Sequence, residues 1–424
     1  MARRARKLPV EAQQQVRGLK YLRQINTLLK RLHDDATARD RAHNRTLFFD
    51  QYAALVLLTL FSPAIDSLRA IQQASAMPKV RKLLGCSRRA SLGSLSEAAR
   101  VFDPSLLLEV ITELSQQLLP LAKDPRLSDV HKTLVLCDGT LLAALPRLAE
   151  SMWKHSRTGN VMHGWRMHTQ FELERHVPTD VQLTAYRCQG DEQTVLLASL
   201  QPGRCYVLDR GYFGYQLFNG IVRVGSDYVC RVKKTIGVIE LIDERRGELS
   251  TEARAAGVIS DRVVRAGSTP DKRADHPLRL VELRVQVQPR GARGEGRPQL
   301  PPRTERLLIA TNLLDVPAEL IALIYRYRWT VELFFRFFKQ ILGCRHLISD
   351  DKDGISIQCY CAVIACMLLQ LWTGKKPGKD LHRMIGFYFC GWASETDLLA
   401  WINRPDNTGV KLRAKAELWK KLGY

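Results

Sequence analysis

The chain has 424 residues, of which 46% are hydrophobic, and a formal net charge of +21 from 64 Lys and Arg against 43 Asp and Glu. This length gives room for two or three domains and a large core, and the charge predicts a polyanionic partner, most simply nucleic acid. The ten cysteines include no C-x-x-C pair, which argues against a zinc-binding protein and favours reduced thiols in a cytoplasmic one. A membrane surface is the alternative partner for the charge, but no lipidation signal or apolar signal core is present, so we expect no membrane partner.

The first part of the chain, residues 1–130, is predicted to be a helical DNA-binding region. Residues 1–45 carry twelve Lys and Arg against four Asp and Glu, and residues 19–32 place apolar side chains at helical intervals opposite basic ones. Such a helix could lie on a phosphate backbone, and a solvated basic helix remains the alternative. Further helices are predicted at residues 48–84 (two helices), 94–100 and 104–119.

The periodicity changes in residues 131–232, where apolar runs typical of strands alternate with helical segments. This order predicts an α/β region. The predicted strands are 133–137, 164–172, 181–186, 204–208 and 227–232, and the predicted helices are 192–200 and 215–224.

Residues 233–311 form a β-rich insertion, with strands expected at 258–264, 279–287 and 306–311. Residues 312–348 carry a helix that begins near Pro317, and residues 349–424 are predicted to be helical. The apolar run at residues 355–372 is long enough to raise the question of a membrane span. Because Gln358 and Gln370 interrupt it, we predict a buried helix instead.

One predicted helix, residues 325–339, organises the candidate chemistry. Tyr325, Arg328, Glu332 and Lys339 are spaced so that they share one face of an α-helix. One acid among phosphate-binding cations suits a metal ligand that faces a polyanion. An ordinary amphipathic helix with surface ion pairs is the alternative. The side chains expected to pack into the core are Leu333, Phe334, Phe337 and Phe338.

Two further acids, Asp138 and Asp209, each follow an apolar strand. In open α/β sheets, ligand-binding and catalytic sites form at the ends of the strands. Together with Glu332 they make an all-oxygen cluster suited to Mg²⁺ or Mn²⁺, and two ions could clamp a phosphodiester. Asp138 precedes Gly139, so a simple Asp-Gly turn remains its alternative.

These motifs resemble those of the IS4 family of DDE transposases of bacterial insertion sequences. The Y-(2)-R-(3)-E-(6)-K pattern is complete in residues 325–339, D-R-G-Y stands at residues 209–212, and D-G-T stands at residues 138–140. Residues 164–168 also resemble the family, although Arg166 stands where Lys is frequent. The resemblance covers about residues 132–345.

The resemblance implies an RNase H-like catalytic core with a β-rich insertion before the last acid. It also implies cut-and-paste transposition by a homodimer that holds two transposon ends and joins them to target DNA, in the bacterial cytoplasm at the nucleoid. The three acids would bind the metals, and Trp329 would hold a base out of the stack unless it is a core residue. A nuclease without strand transfer and an inactive DNA-binding descendant remain as alternatives. The expected DNA contacts are Tyr325, Arg328, Trp329, Lys339, Arg210 and Arg166.

Overall fold

The structure is a computed structural model, and it describes most of the chain between residues 27 and 403. The described residues are 27–35, 45–62, 64–121, 124–143, 153–155, 161–185, 192–233, 236–245, 249–269, 272–287, 303–341, 349 and 351–403. The fold is mixed α/β, with one large sheet and many helices.

The described strands form a ten-stranded sheet in the order β2-β3-β1-β5-β6-β10-β9-β8-β7, with β4 paired to β3 off this path. The strands are β1 (Thr133–Ala143), β2 (Trp153–His155), β3 (Val161–Glu172), β4 (Val177–Ala185), β5 (Arg204–Leu208), β6 (Asp227–Val232), β7 (Val238–Glu244), β8 (Val258–Ala266), β9 (Leu278–Val287) and β10 (Arg303–Thr311).

The direction of the strands divides the sheet into two parts. Strands β1, β5 and β6 are parallel neighbours, while β3 is antiparallel to β1 and β4 is antiparallel to β3. Strand β10 is antiparallel to β6 and continues through β9, β8 and β7 as an antiparallel extension. The β-rich residues after position 233 therefore extend the central sheet.

The described helices are α1 (Leu32–Asp35), α2 (Phe49–Phe61), α3 (Leu68–Ala76), α4 (Pro78–Leu84), α5 (Leu92–Val101), α6 (Leu106–Gln117), α7 (Glu192–Ala198), α8 (Tyr215–Arg223), α9 (Thr251–Ala255), α10 (Ala318–Tyr327), α11 (Trp329–Ile341), α12 (Lys352–Thr373), α13 (Lys379–Phe389) and α14 (Glu395–Ile402).

Both faces of the sheet are buried, which follows from the alternation of side chains along each strand. In β1, Leu134 and Leu136 belong to the larger apolar core, which contains helices of the first and last parts of the chain. Val135 and Cys137 belong to a second core, which contains α8 and one side chain of α7. The parallel strands at the centre of the sheet are thus covered on both sides, as parallel sheets require.

Helix α12 is the one described helix with the length and composition to cross a membrane, and 89% of its most apolar window is buried inside the protein. It packs against α2, α5 and α6. The prediction of a buried helix at residues 355–372 is therefore confirmed.

The structure corrects several predicted elements. Residues 48–84 form three helices, since Pro78 begins a separate helix, α4. Strands β2 and β7 were missed, and β1 continues six residues beyond the predicted end at Cys137 because β3 keeps pairing with it. The helix predicted over residues 325–339 is interrupted at Arg328, where α10 ends and α11 follows.

Residues 19–26 of the predicted basic helix at residues 19–32, and most of the basic segment 1–45, lie outside the described residues. The described end of that predicted helix, residues 27–32, includes the buried Leu29 and Leu32. The Gly, Pro and Arg-rich segment 288–302 also lies outside the described residues.

Candidate active site

Two of the predicted acids lie on neighbouring parallel strands at the point where their pairing ends. The last paired residues of β1 and β5 are Cys137 and Leu208, so Asp138 and Asp209 are the next residue of each strand. Their local structures differ: Asp138 lies inside β1, which goes on with β3, whereas Asp209 precedes a short 3-10 turn at Arg210–Tyr212. The Asp138 carboxylate accepts a hydrogen bond from the Gly139 N–H at 2.8 Å. The prediction that Asp138 terminates its strand is wrong, but its place beside Asp209 follows from the parallel register.

The third acid, Glu332, lies in the first turn of α11, whose apolar side chains hold it against the sheet. Phe334, Phe337 and Phe338 are buried, and the Phe334 ring lies 5.3 Å from the ring of Phe171 in β3. Leu333 is 50% exposed, so its predicted core position is wrong. It follows Glu332 directly and lies on the solvent side of the helix.

Arg328 and Tyr325 together contact the three acids. Arg328 lies between α10 and α11 and is 9% exposed. Its Nη2 donates to Glu332 Oε1 at 2.7 Å, and its Nη1 lies 3.6 Å from Asp138 Oδ2. One turn earlier, the Tyr325 hydroxyl donates to Asp209 Oδ1 at 3.3 Å. The predicted single face is thus retained despite the helix interruption, and the residues of this face contact all three acids.

The ion pair that the sequence left open as an alternative forms between Arg328 and Glu332. The two residues are four apart, so the competing i,i+4 pair forms. Both side chains are largely withdrawn from solvent, at 10% and 26% exposed, which distinguishes this pair from an ordinary surface ion pair.

The electrostatics of this cluster follow from burial and from the crowding of carboxylates. Burial raises the pKa of Asp138 to about 6; Arg328 and the Gly139 N–H oppose the shift, and Glu332 and Asp209 add to it. Burial, followed by the negative charge of Asp209, raises the pKa of Tyr325. Although burial alone lowers the pKa of Arg328, Tyr325 and the acids outweigh it and raise the pKa. The guanidinium is therefore held charged among groups that repel one another.

The other predicted contact residues have different environments. Trp329 is 46% exposed, so the alternative of a core tryptophan is wrong. Arg210 is exposed beside Asp209. The Lys339 ammonium donates to the carbonyl oxygen of Leu141 in β1. Arg166 forms an ion pair at 2.7 Å with Glu192, the first residue of α7.

Sequence reasoning missed Glu192, although a signal for it exists. Both the D-G-T and the D-R-G-Y motif contain a glycine, Gly139 and Gly211, and neither has a left-handed φ. Since no left-handed φ requires glycine at these positions, a close approach by another group is the remaining reason that the structure offers. In both cases that group is the carboxylate of Glu192.

The three acids offer only carboxylate oxygens, the donors that Mg²⁺ and Mn²⁺ prefer. Within the described residues, no three His, Cys, Asp or Glu side chains are arranged to hold one ion together. The Arg328 guanidinium contacts both Asp138 and Glu332, at the position where a cation would neutralise them. The donor chemistry therefore fits a divalent cation, provided that Arg328 releases its partners.

Comparison with known proteins gives the family. The profile described as the transposase DDE domain matches residues 130–368, more than half of the chain.

Three relatives show the same relationship. A protein of Sinorhizobium fredii that is described as a transposase is 26% identical over 216 residues, which cover 51% of this chain and 55% of the relative. A protein of Geobacillus stearothermophilus, described as a transposase for an insertion sequence element, is 26% identical over 225 residues, 53% of each chain. A protein of Synechocystis described as a transposase for the element IS4SA is 41% identical over 56 residues, 13% of this chain and 17% of the relative. The chain spans about half the length of the first two relatives.

Among solved structures, a piggyBac transposase synaptic complex with hairpin DNA is similar with a TM-score of 0.42 and 11% identity. The match covers 93% of this chain and 82% of that chain.

Proposed function

The chain belongs to the transposase DDE-domain family, and we propose that it cuts DNA at the ends of an insertion sequence and joins them to target DNA. The observation that carries the proposal is the contact of one arginine and one tyrosine with three acids from three separate elements. Arg328 contacts Asp138 and Glu332, while Tyr325 contacts Asp209. The first and the last of these acids, Asp138 and Glu332, are more than 190 positions apart in the sequence.

The proposed core is RNase H-like. Five strands support this assignment, because they lie in the order β4-β3-β1-β5-β6, with β1, β5 and β6 parallel and β3 reversed. Asp138 then lies on one central strand, β1, Asp209 directly follows the other, β5, and Glu332 lies on a helix that follows the β-rich extension.

In this proposal Asp138, Asp209 and Glu332 hold two Mg²⁺ or Mn²⁺ ions. When bound, the ions supply Lewis acidity to the scissile phosphodiester and a nucleophile activated at neutral pH. Burial raises the pKa of Asp138, and the nearby carboxylates of Glu332 and Asp209 add to the shift, so a cation that enters the cluster is favoured.

The cations on the same face bind DNA phosphate. Arg328 is charged and buried beside the acids, so on DNA binding it can transfer from carboxylates to phosphate oxygens, for which its planar guanidinium is suited. Tyr325 remains a hydrogen-bond donor because its pKa is raised. Lys339, Arg210 and Arg166 complete the proposed DNA contacts.

Trp329 is proposed to hold a displaced base. Its ring is half exposed and lies next in sequence to Arg328, so an unstacked base could pack on it. The net charge of +21 supports binding to double-stranded DNA, at the inverted repeats and at the target.

We further propose that the protein works in the bacterial cytoplasm as a homodimer that holds two ends. The molecular mass of the complex with end DNA, measured by light scattering, tests this part separately.

The experiment uses the full chain, DNA carrying the two sequences that flank its gene, and a supercoiled target plasmid. Mg²⁺-dependent cutting and strand transfer are expected, and replacing any one of the three acids with Ala should abolish both without preventing DNA binding. Cutting without strand transfer would instead identify a nuclease. DNA binding without cutting would identify an inactive descendant.

A further inference from the structure

The glycines of both acidic motifs lie against the same carboxylate. A Cβ on Gly139 would lie 2.9 Å from Glu192 Oε1, and a Cβ on Gly211 would lie 2.5 Å from Glu192 Oε2. Neither distance is possible for a real side chain without movement. Neither glycine has a left-handed φ, so backbone conformation does not account for glycine at these positions. Its role here is to leave the space that the Glu192 carboxylate occupies.

The position of this carboxylate is fixed from two sides. Arg166 of β3 donates from Nη1 to Glu192 Oε1 at 2.7 Å, and their side chains are only 26% and 20% exposed. The next residue of α7, Gln193, donates to the carbonyl oxygen of Phe213 at 2.9 Å. Gly214 leaves the room for this side chain, since a Cβ there would lie 2.1 Å from Gln193 Oε1.

These contacts connect the two strand ends that carry the acids. Gly139 follows Asp138 directly, and Gly211 lies two residues after Asp209. Between the two backbones lies one carboxylate, with one oxygen against each glycine. The paired register of β1 and β5 ends at Cys137 and Leu208, so beyond it the Glu192 carboxylate is the group that lies against both backbones.

We propose that Glu192 is a positioning residue, which sets the separation of Asp138 and Asp209 by holding its carboxylate between Gly139 and Gly211. This inference rests on the proposed function, because the spacing matters only if the two acids bind metal together. Glu192 itself acts through these backbones and needs no contact with metal or DNA.

The reach of the side chain, and not only its charge, determines this role. The variants Glu192→Gln and Glu192→Asp separate the two properties. Glu192→Gln keeps the length of the side chain and an oxygen that can accept the hydrogen bond from Arg166. Glu192→Asp keeps the negative charge, but its carboxylate reaches one methylene less far. We expect Glu192→Asp to behave like Glu192→Ala, and Glu192→Gln to stay near the wild type.

The test measures binding of Mn²⁺ to the full chain by electron paramagnetic resonance, together with the Mn²⁺ concentration that gives half-maximal DNA cutting. Residues that support metal ligands typically contribute about 10- to 100-fold in metal affinity, so Glu192→Ala and Glu192→Asp should weaken both values by that factor. Glu252→Gln is the matched control, because Glu252 is an exposed acid in the first turn of another short helix, α9. It should leave both values unchanged.

A second measurement remains informative where one substitution also weakens folding. Gly211→Ala should displace the Glu192 carboxylate and weaken Mn²⁺ binding, whereas in the Glu192→Ala background the same change should cost nothing further. Additive losses would overturn the proposal, as would a Glu192→Asp variant with wild-type Mn²⁺ affinity.

The failure of this inference differs from the failure of the proposed function. If Asp138→Ala abolishes Mn²⁺ binding and cutting while Glu192→Ala changes neither, only the positioning role is wrong. If the wild type binds no Mn²⁺ and cuts no DNA, both proposals are wrong.

Discussion

Replacing Arg328 with Ala should weaken the fold and the reaction at the same time, and divalent cations should restore only the fold. The substitution removes a hydrogen bond to Glu332 and an ion pair with Asp138 from a site where the arginine is 10% exposed. It leaves three carboxylates without the cation that now neutralises two of them. Burial, the main cause of the raised pKa of Asp138, and the repulsion from Glu332 and Asp209 would then act without the opposing charge of Arg328.

The magnitude follows from the burial of the pair. An exposed i,i+4 pair contributes about 0.3–0.5 kcal/mol, whereas a hydrogen bond to a charged group withdrawn from water contributes about 1.5–3 kcal/mol. We therefore expect the free energy of unfolding to fall by about 2 kcal/mol without metal. The rate of DNA cutting should fall by about 10²–10³, the typical loss when one charge-stabilising donor is removed from a reacting centre.

The assay is thermal unfolding of the full chain, followed by circular dichroism with and without Mn²⁺. Mn²⁺ should raise the melting temperature of Arg328→Ala more than that of the wild type, because the cation replaces the missing guanidinium among the acids. The exposed Arg326, two residues earlier, provides the control substitution and should change neither stability nor cutting.

Two results would refute this reasoning. Unchanged stability without metal would mean that the buried pair contributes no more than a surface one. An equal effect of Mn²⁺ on the variant and the wild type would mean that Arg328 does not compete with a cation for Asp138 and Glu332.

Three further predictions concern other parts of the molecule. The dissociation constant for end DNA, measured by fluorescence anisotropy, should rise steeply with salt concentration. In a plot of its logarithm against the logarithm of the salt concentration, each neutralised phosphate should add nearly one unit to the slope. A constant that does not change with salt would contradict this prediction. Trp329→Ala should change the free energy of unfolding by no more than about 0.5 kcal/mol, since the side chain is half exposed, yet it should reduce cutting; normal cutting would exclude the base-holding role. Arg279→Met should destabilise the fold by about 3–5 kcal/mol, because it leaves the 5% exposed Asp261 carboxylate without its partner, and chemical denaturation that shows a loss below 1 kcal/mol would disprove it.

The sequence allowed prediction of those parts of the fold in which local pattern and tertiary packing agree. Strands β5 and β6 were predicted with their observed bounds, because a short apolar run follows a turn with a left-handed glycine, Gly203 or Gly225, in each case. Strand β1 was predicted too short, since Asp138, Gly139 and Thr140 are typical turn residues. Only its antiparallel partner β3, which pairs with it through Ala143, keeps this segment extended.

The candidate site shows the same limit. The spacing of Tyr325, Arg328 and Glu332 predicted a shared face, and the contacts of these residues agree with that prediction. The assignment of the three acids as metal ligands stays a prediction. Glu192 could not be found from spacing, because it approaches the two glycines only through the packing of α7 on the sheet. The helix interruption at Arg328 could not be predicted either, because no proline or glycine lies near it in the sequence.

The burial of α12 has a consequence for the order in which the chain can fold. Its central residues pack against α2 and α6, and the Cys361 thiol lies 3.8 Å from the carbonyl oxygen of Ala53, 308 positions earlier. During synthesis the apolar faces of these early helices remain uncovered until residue 373 has left the ribosome. Loss of residues 352–424 by a frameshift would therefore leave an N-terminal part with uncovered apolar helix faces, which is a substrate for cellular proteases.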